Sequence, residues 1–169
     1  MTPLPGALGG TNLVAWRLEA TKYLNSWATA EGAFQLGGRW NSQGRRVLYT
    51  SIDPATSILE VGVHKGFDVL DTVPHTLLEI EIPDPSQAYV VPLESIPNPN
   101  WLVPGSVSAG QQAFGNALLL QHGMLVLPSV VSTGSWNLLI DVDIAKAHFS
   151  LLSSKPFALD PRLHSVAQT

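Results

Sequence analysis

A glycine pair followed by an arginine and a tryptophan marks the stretch best suited to bind an anion. Gly37 and Gly38 precede Arg39 and Trp40 in the segment GGRWNSQGRRVLYTS, residues 37–51. Glycine lets a ligand approach the backbone closely, and the planar guanidinium of arginine can hold a phosphate or a carboxylate with two hydrogen bonds. The Trp40 ring can stack on a base. The alternative is a turn arginine beside a core tryptophan.

Glu60 is a candidate for acid–base or electrostatic chemistry because it stands among apolar neighbours. Ile58, Leu59, Val61 and Val63 surround it in a segment with helical spacing. A carboxylate on a buried helix face must be paired or have a function. The alternative is an exposed glutamate on the polar side of the helix, where most glutamates lie.

Two further candidates follow apolar stretches. Tyr49 closes a short strand-like run just ahead of the Glu60 segment, and it is either a site residue or a core tyrosine. Ser129 follows a proline in LVLPSVV, so its hydroxyl can bond its own backbone or face a pocket. No G-x-S-x-G surrounds Ser129, and neither a G-x-G-x-x-G nor a P-loop motif occurs, so a hydrolase nucleophile and a Rossmann or P-loop site are not indicated.

Length and composition predict one globular domain. The chain has 169 residues, of which 45% are hydrophobic and 13% charged, with a formal net charge of −4 and no cysteine. We expect a single domain over residues 1–169, with the Pro- and Gly-rich residues 1–11 as a loose lead-in. The lack of a basic patch argues against direct nucleic-acid binding, and the lack of cysteine excludes disulfides and thiolate metal sites.

The remaining bulk features favour a cytoplasmic protein without a metal. The five histidines are scattered, without the spacing of a metal site. No apolar run approaches the roughly 18–20 residues that span a bilayer, so no membrane partner is expected. The first residues lack the charged and apolar regions of a signal peptide.

The elements that must position the candidates follow from periodicity and from turn residues. Asp53 caps a helix that starts at Pro54 and ends at Gly66. GAFQLGG, residues 32–38, reads as a loop, and 84–106 reads as a connection with a brief extended piece at 88–93. The pattern predicts a second helix at 108–123 and strands at 12–18, 45–51, 75–83, 124–131 (broken at Pro128), 135–140 and 147–159 (bent at Pro156). This order predicts an α+β fold.

Taken together, the motifs resemble the RES domain, a bacterial toxin family named for an arginine, a glutamate and a serine. The matching pieces follow the family's order across nearly the whole chain: WRL (16–18), GGRWNSQGRRVLYTS (37–51), ATSILEV (55–61), LLEIEIPD (77–84), VLPSVV (126–131), WNLLI (136–140) and DPRL (160–163).

The resemblance implies a fold like that of ADP-ribosyltransferases, with mixed β-sheets and flanking helices. It also implies cleavage of NAD at the nicotinamide–ribose bond, with NAD as a substrate rather than a cofactor. Water, inorganic phosphate or a protein is then the acceptor. An Xre-like antitoxin is the implied partner, and the oligomeric state, a homodimer included, stays open.

Site residues carry over by position. The resemblance assigns Arg39, Tyr49, Glu60 and Ser129 to catalysis. The implied NAD-binding residues are Arg17, Gly38, Trp40 and Asn137. In this assignment the arginines hold the pyrophosphate or the nicotinamide end, Tyr49 stacks on nicotinamide, and Glu60 stabilises charge on the ribose.

One segment departs from the family pattern, and three other readings remain open. After Asn137 the family continues into Asn-Pro-x-His-Pro, whereas this chain reads LLIDVDIAKAH. The rival hypotheses are an ADP-ribosyltransferase acting on a protein, a non-catalytic RES domain that binds a partner, and a secreted effector with the same catalytic domain.

Overall fold

One seven-stranded sheet organises the molecule in residues 12–105 and 107–163, the part of the chain that this computed structural model describes. The N-terminal lead-in expected at 1–11 lies outside the described residues. In chain order the strands are β1 (Leu13–Ala20), β2 (Val47–Ser51), β3 (His75–Ile82), β4 (Tyr89–Val90), β5 (Met124–Pro128), β6 (Trp136–Asp141) and β7 (Ser150–Phe157). Their order across the sheet is β4-β5-β6-β2-β1-β3-β7. Only the β4–β5 pair is parallel.

Four α-helices accompany the sheet in the described residues: α1 (Glu31–Leu36), α2 (Pro54–Lys65), α3 (Phe67–Thr72) and α4 (Ala109–His122). Short 3₁₀ helices cover Thr21–Thr29, Pro85–Gln87, Leu93–Ser95 and Pro161–Leu163. The α+β fold class expected from the sequence is confirmed.

Apolar side chains cover both faces of the sheet. Leu48 belongs to a buried cluster with Leu138, while its neighbour Val47 belongs to another with Leu139. Adjacent strand residues point to opposite faces, so these clusters lie on opposite sides of the sheet. A third cluster packs α2 and α3 against Leu18 of β1.

The helix that carries Glu60 begins and ends where the sequence predicts. Asp53 Oδ1 accepts a hydrogen bond from the Thr56 amide at 2.8 Å, and Pro54 occupies the first turn. Gly66 follows the last residue with φ +94°, a backbone angle that favours glycine. The predicted helix over 108–123 is likewise confirmed as α4, which Ser108 caps.

One sequence expectation about local structure is wrong. GAFQLGG was expected as a loop, but α1 covers Gly32–Leu36. Tertiary contacts support this short helix, since Arg46 lies over the Phe34 ring and Asn41 Nδ2 donates to the Ala33 carbonyl. Such contacts override weak local propensity.

The last strand, predicted over 147–159 with a bend at Pro156, is confirmed as β7, which continues through Pro156. Its pairing register shifts between Glu79 and Ile80 of the neighbouring strand β3. Because β7 is an edge strand, one side of it needs no ladder, and Pro156 is tolerated.

β1 and β2 diverge, and this divergence shapes the sheet beside the candidate residues. The two strands are neighbours but pair at one position only, Trp16 with Ser51. β2 pairs with β6 along its whole length, and β1 pairs with β3 in the same way. A gap therefore opens between β1 and β2 on one side of that pair.

Helix α4 approaches the Arg39 segment so closely that a side chain does not fit between them. A Cβ built on Gly115 would lie 2.0 Å from the Trp40 carbonyl oxygen. Gly110 in the same helix has open space around it. The two glycines therefore form a matched pair of test positions.

Gly115→Ala is expected to lower the free energy of unfolding by at least about 2 kcal/mol, because overpacking against backbone cannot be relieved by a side-chain rotation. Gly110→Ala is expected to raise it by up to about 1 kcal/mol, since alanine is the better helix former. Urea denaturation measures both. Equal effects of the two substitutions would contradict the close packing of α4 on Trp40.

Candidate functional site

Glu60 is fixed by two donors that come from other parts of the sheet. Ser129 Oγ donates to Glu60 Oε1 at 2.8 Å, and Asn137 Nδ2 donates to the same oxygen at 2.6 Å. Glu60 is half-buried, so the exposed glutamate considered as an alternative is not what the structure shows. In the described part of the chain both of these hydrogen bonds end on Oε1.

Ser129 bonds its own backbone, as one of the two alternatives for it expected, and also contacts Glu60. Its hydroxyl accepts hydrogen bonds from the amides of Val131 at 3.2 Å and Ser132 at 2.8 Å, and it donates to Glu60. The side chain is fully buried. Pro128 ends β5 one residue earlier, so the chain turns at Ser129 and places the hydroxyl against α2.

Asn137 is oriented from β2. Ser51 Oγ donates to Asn137 Oδ1 at 2.8 Å, which fixes the amide so that its nitrogen faces Glu60. Ser51 and Asn137 are also register partners in the β2–β6 ladder. Three elements, α2, β2 and β6, thus position one carboxylate.

Arg39 lies within electrostatic reach of this carboxylate. Burial lowers the pKa of the Arg39 guanidinium, while Glu60 and then Tyr49 act in the opposite direction. Arginine remains cationic at neutral pH, so the site holds one half-buried positive group and one half-buried negative group. Arg39 Nη1 also donates to the Trp101 carbonyl at 3.0 Å.

Tyr49 holds the backbone next to Arg39. Its hydroxyl donates to Asn41 Oδ1 at 2.7 Å and accepts from the Trp40 amide at 3.1 Å. Burial raises the pKa of the Tyr49 phenol far above its ordinary value, against smaller opposing effects of the Trp40 amide and Arg39. The phenol therefore stays neutral and positions the 38–41 segment.

The glycine pair is needed for packing within the protein. Gly37 has φ +71°, and a Cβ on Gly38 would lie 2.4 Å from the Tyr49 hydroxyl. Gln112 Nε2 of α4 donates to the Gly38 carbonyl at 2.8 Å. Close approach to a ligand at Gly38 stays a prediction.

Trp40 is enclosed in the core, and the Arg17 guanidinium is bonded within the protein beside β2. The Trp40 indole is 3% exposed and packs on Trp101, with ring centroids 5.8 Å apart, as the core alternative expected. Arg17 extends into the gap beside β2, where Nη1 donates to the Tyr49 carbonyl at 2.9 Å. Its Nε and Nη2 both donate to Glu19.

Sequence reasoning missed several residues that build the site. Asn41 and Ser51 stand directly inside the GGRWN and YTS pieces, so their motif position was the available signal. Asp53 was assigned only as a helix cap, yet Ser135 Oγ also donates to it. That bond ties the turn after Ser129 to the start of α2.

The segment that departs from the family pattern, residues 138–148, starts within β6 and continues into the turn after it. Asp141 pairs with Arg45 at 2.5 Å and caps the amides of Asp143 and Ile144. A surface groove of about 630 Å³ adjoins this turn, and none of the candidate site residues lines it.

The described residues contain neither a metal-binding cluster nor a membrane-spanning helix. No group of three histidine, aspartate or glutamate side chains there could hold a metal ion. Among the described helices, none combines the length and hydropathy required to cross a bilayer.

Comparison with known proteins identifies the family. The sequence model of the RES domain matches residues 14–160. The chain belongs to the RES domain family. The resemblance drawn from the motifs is thereby confirmed.

Two curated relatives match this chain over 89% of its length. The protein named Toxin Res of Pseudomonas putida strain KT2440 is 31% identical over 156 residues, covering 89% of this chain and 99% of its own. Toxin Res of Photorhabdus laumondii subsp. laumondii is 29% identical over 154 residues, covering 89% and 97%.

A solved structure shares the fold of this RES domain. A chain of the M. tuberculosis MbcT–MbcA toxin–antitoxin complex superposes with a TM-score of 0.69 at 20% identity. The match covers 92% of this chain and 88% of that chain.

The hydrogen bonds that Asp53 accepts make the stability of the protein depend on pH. Burial acts to raise the pKa of Asp53, but hydrogen bonds from Ser135 and Thr56 outweigh it and hold the pKa below its usual value. A carboxylate with a depressed folded pKa stabilises the protein above its unfolded pKa of about 3.9, and this stabilisation is lost as pH falls through the lower folded value.

Asp53→Ala is expected to lower the free energy of unfolding by about 1 kcal/mol at pH 7 through loss of the cap. The difference from the wild type should shrink at pH 3, measured by urea denaturation. Asp53→Asn keeps a capping oxygen that does not titrate and serves as the control. A difference that grows on acidification would contradict the depressed pKa.

Proposed function

We propose that this RES domain is a toxin that consumes NAD by breaking the nicotinamide–ribose bond. Its membership in the family, and the curated relatives named Toxin Res, support a toxin. NAD follows from what the family resemblance implies for the aligned residues. The observation that carries the proposal is the Glu60 carboxylate, fixed on Oε1 by Ser129 and Asn137 and lying near Arg39.

The site combines positive groups that can bind the phosphates of NAD with a carboxylate that can stabilise positive charge on its ribose. Arg39 offers a partly buried guanidinium that can bind a phosphate oxygen with charge-assisted hydrogen bonds. Arg17 is bound between Glu19 and the Tyr49 carbonyl and presents a second cation from the gap between β1 and β2. Glu60 supplies the anion for the ribose.

Bond cleavage requires no redox step. The bond between ribose C1′ and the nicotinamide ring nitrogen breaks, and its electron pair stays on the nitrogen, which leaves as neutral nicotinamide. Positive charge develops on the ribose, as in glycoside cleavage, and the fixed Glu60 carboxylate stabilises it. An acceptor oxygen then bonds to C1′ and releases its proton.

The remaining residues act by orientation. Ser129 and Asn137 hold Glu60 so that Oε2 can bind ribose hydroxyls or the acceptor. Tyr49 holds the Arg39 segment through its hydroxyl, and its proposed stacking on nicotinamide would use the ring. Trp40 is assigned no contact with NAD, because its ring is enclosed in the core.

An Xre-like antitoxin is the proposed protein partner. The solved neighbour comes from a toxin–antitoxin complex, which supports a partner of that kind for this chain. An enzyme that depletes a cytoplasmic cofactor is lethal to its own cell unless it is blocked. A protein that occupies the site would provide that block.

Glu60→Gln is expected to reduce NAD consumption by at least about 100-fold, because the amide keeps the size of the side chain and removes the charge that stabilises the transition state. Glu94→Gln changes an exposed glutamate and should leave turnover unchanged. The measurement is loss of NAD by purified protein, with thermal melting to show that both variants fold. Undiminished turnover in Glu60→Gln would exclude its assigned role.

The acceptor is tested by product analysis with and without inorganic phosphate. Water yields ADP-ribose, phosphate yields its 1″-phosphorylated form, and both release nicotinamide. We expect all ADP-ribose label from NAD to appear in these small products. Label retained on protein would favour the ADP-ribosyltransferase reading, and intact NAD would favour a non-catalytic binding domain.

A further inference from the structure

A buried carboxylate outside the proposed chemistry holds one of the two arginines. Glu19 is 7% exposed. Its Oε2 accepts hydrogen bonds from Arg17 Nε at 3.0 Å and Nη2 at 2.7 Å, and its Oε1 accepts from the Ala20 amide at 3.2 Å. The pair is only two residues apart on β1, so both side chains lie on the same face of that strand.

Arg17 and Glu19 lie at the gap between β1 and β2. In an antiparallel strand alternate residues direct their amides to the same neighbour, so the Leu18 and Ala20 amides face the side on which β2 has diverged. Ser57 Oγ of α2 accepts from Leu18 at 2.9 Å, and Glu19 accepts from Ala20. Across the gap, Arg17 Nη1 donates to the Tyr49 carbonyl at 2.9 Å.

We propose that Glu19 is a positioning residue for the NAD site, which acts by fixing Arg17 across the gap between β1 and β2. The inference rests on the proposed function for its effect on NAD. Glu19 does not touch the ligand. It aligns the guanidinium, and the guanidinium sets the position of Tyr49.

The linkage from Glu19 to the site runs through contacts already described. The two bonds to Glu19 leave Nη1 of Arg17 directed at the Tyr49 carbonyl. The hydroxyl of Tyr49 holds the Trp40 amide and Asn41, which flank the backbone of the Arg39 segment. A displaced Arg17 would therefore disturb both cations that are proposed to bind the NAD phosphates.

Catalysis at the ribose should be less affected than binding. The hydrogen-bond donors to Glu60 are Ser129 and Asn137, whereas Arg17 and Glu19 bond each other, the Tyr49 carbonyl and the Ala20 amide. Loss of the Glu19–Arg17 pair should consequently raise KM for NAD more than it lowers kcat. A general loss of folding would instead reduce the amount of active enzyme.

The test is a double-mutant cycle with Glu19→Gln, Arg17→Lys and both together. Glutamine has no negative charge and only one carbonyl oxygen, so it cannot accept both from the Arg17 guanidinium and from the Ala20 amide. Glu19→Gln is therefore expected to raise KM for NAD by about 10-fold while kcat stays within about threefold. In the Arg17→Lys background, adding Glu19→Gln should raise KM by less than about twofold, because the residue through which it acts is gone.

Glu79→Gln is the matched control. Glu79 is also a strand carboxylate paired with a cation, since Lys155 Nζ lies 2.9 Å from its Oε1, but it stands on β3 beside the edge strand. We expect no change in KM for this variant. A KM in Glu19→Gln equal to that of Glu79→Gln, or effects that simply add in the cycle, would overturn the inference.

An NMR measurement separates this inference from the proposed function. In ¹⁵N-labelled protein the Arg17 Nε–H signal, assigned by its loss in Arg17→Lys, should exchange slowly with water and should exchange at least about 10-fold faster in Glu19→Gln. If the wild type consumes no NAD, the proposed function fails and this signal alone decides the positioning claim. Unchanged exchange in Glu19→Gln would refute it.

Discussion

A half-buried carboxylate needs hydrogen-bond donors from the protein, and that need organises the site around Glu60. The donors, Ser129 and Asn137, come from the end of β5 and from β6, so the helix and the far half of the sheet must meet at one oxygen. Leaving such a group without donors would cost more than an ordinary hydrogen bond is worth. The turn after β5, the start of β6 and the angle of α2 are consequently fixed together, and Asp53 reinforces them by accepting from Ser135.

The second constraint is the opening between β1 and β2. A continuous ladder would satisfy the backbone groups of both strands, and it would also fill the space beside Tyr49 and the Arg39 segment. Here the strands share one aligned pair, and side chains replace the missing ladder bonds: Ser57, Glu19 and Arg17 each satisfy a backbone group at the gap. The sheet can therefore open next to a polar site without orphaned amides. Arg17 thus satisfies the Tyr49 carbonyl at the gap and also supplies a positive charge for the proposed anionic substrate.

The residues of the GGRWN motif have different structural roles. Within GGRWN, the glycines make room for the Tyr49 hydroxyl, the arginine faces the carboxylate, and the tryptophan fills the core against Trp101. The departure from the family after Asn137 begins within β6, where Leu139 is the register partner of Tyr49. Asp141 closes the turn after β6 by capping two amides and pairing with Arg45, so the altered residues border a separate groove. The altered segment therefore runs from the strand beside Tyr49 to the turn at that groove.

The sequence by itself determined the fold class, the helix from Pro54 to Lys65 with its cap and stop, and the family, because periodicity, caps and ordered motifs are local signals. It could not determine that α1 forms, since that helix depends on partners outside its own segment. Nor could it decide which alternative applied to Trp40, Glu60 and Ser129. Burial and hydrogen-bond partners are properties of the packed chain, and only the tertiary structure brings Ser129, 69 residues away from Glu60 in sequence, within 2.8 Å of it.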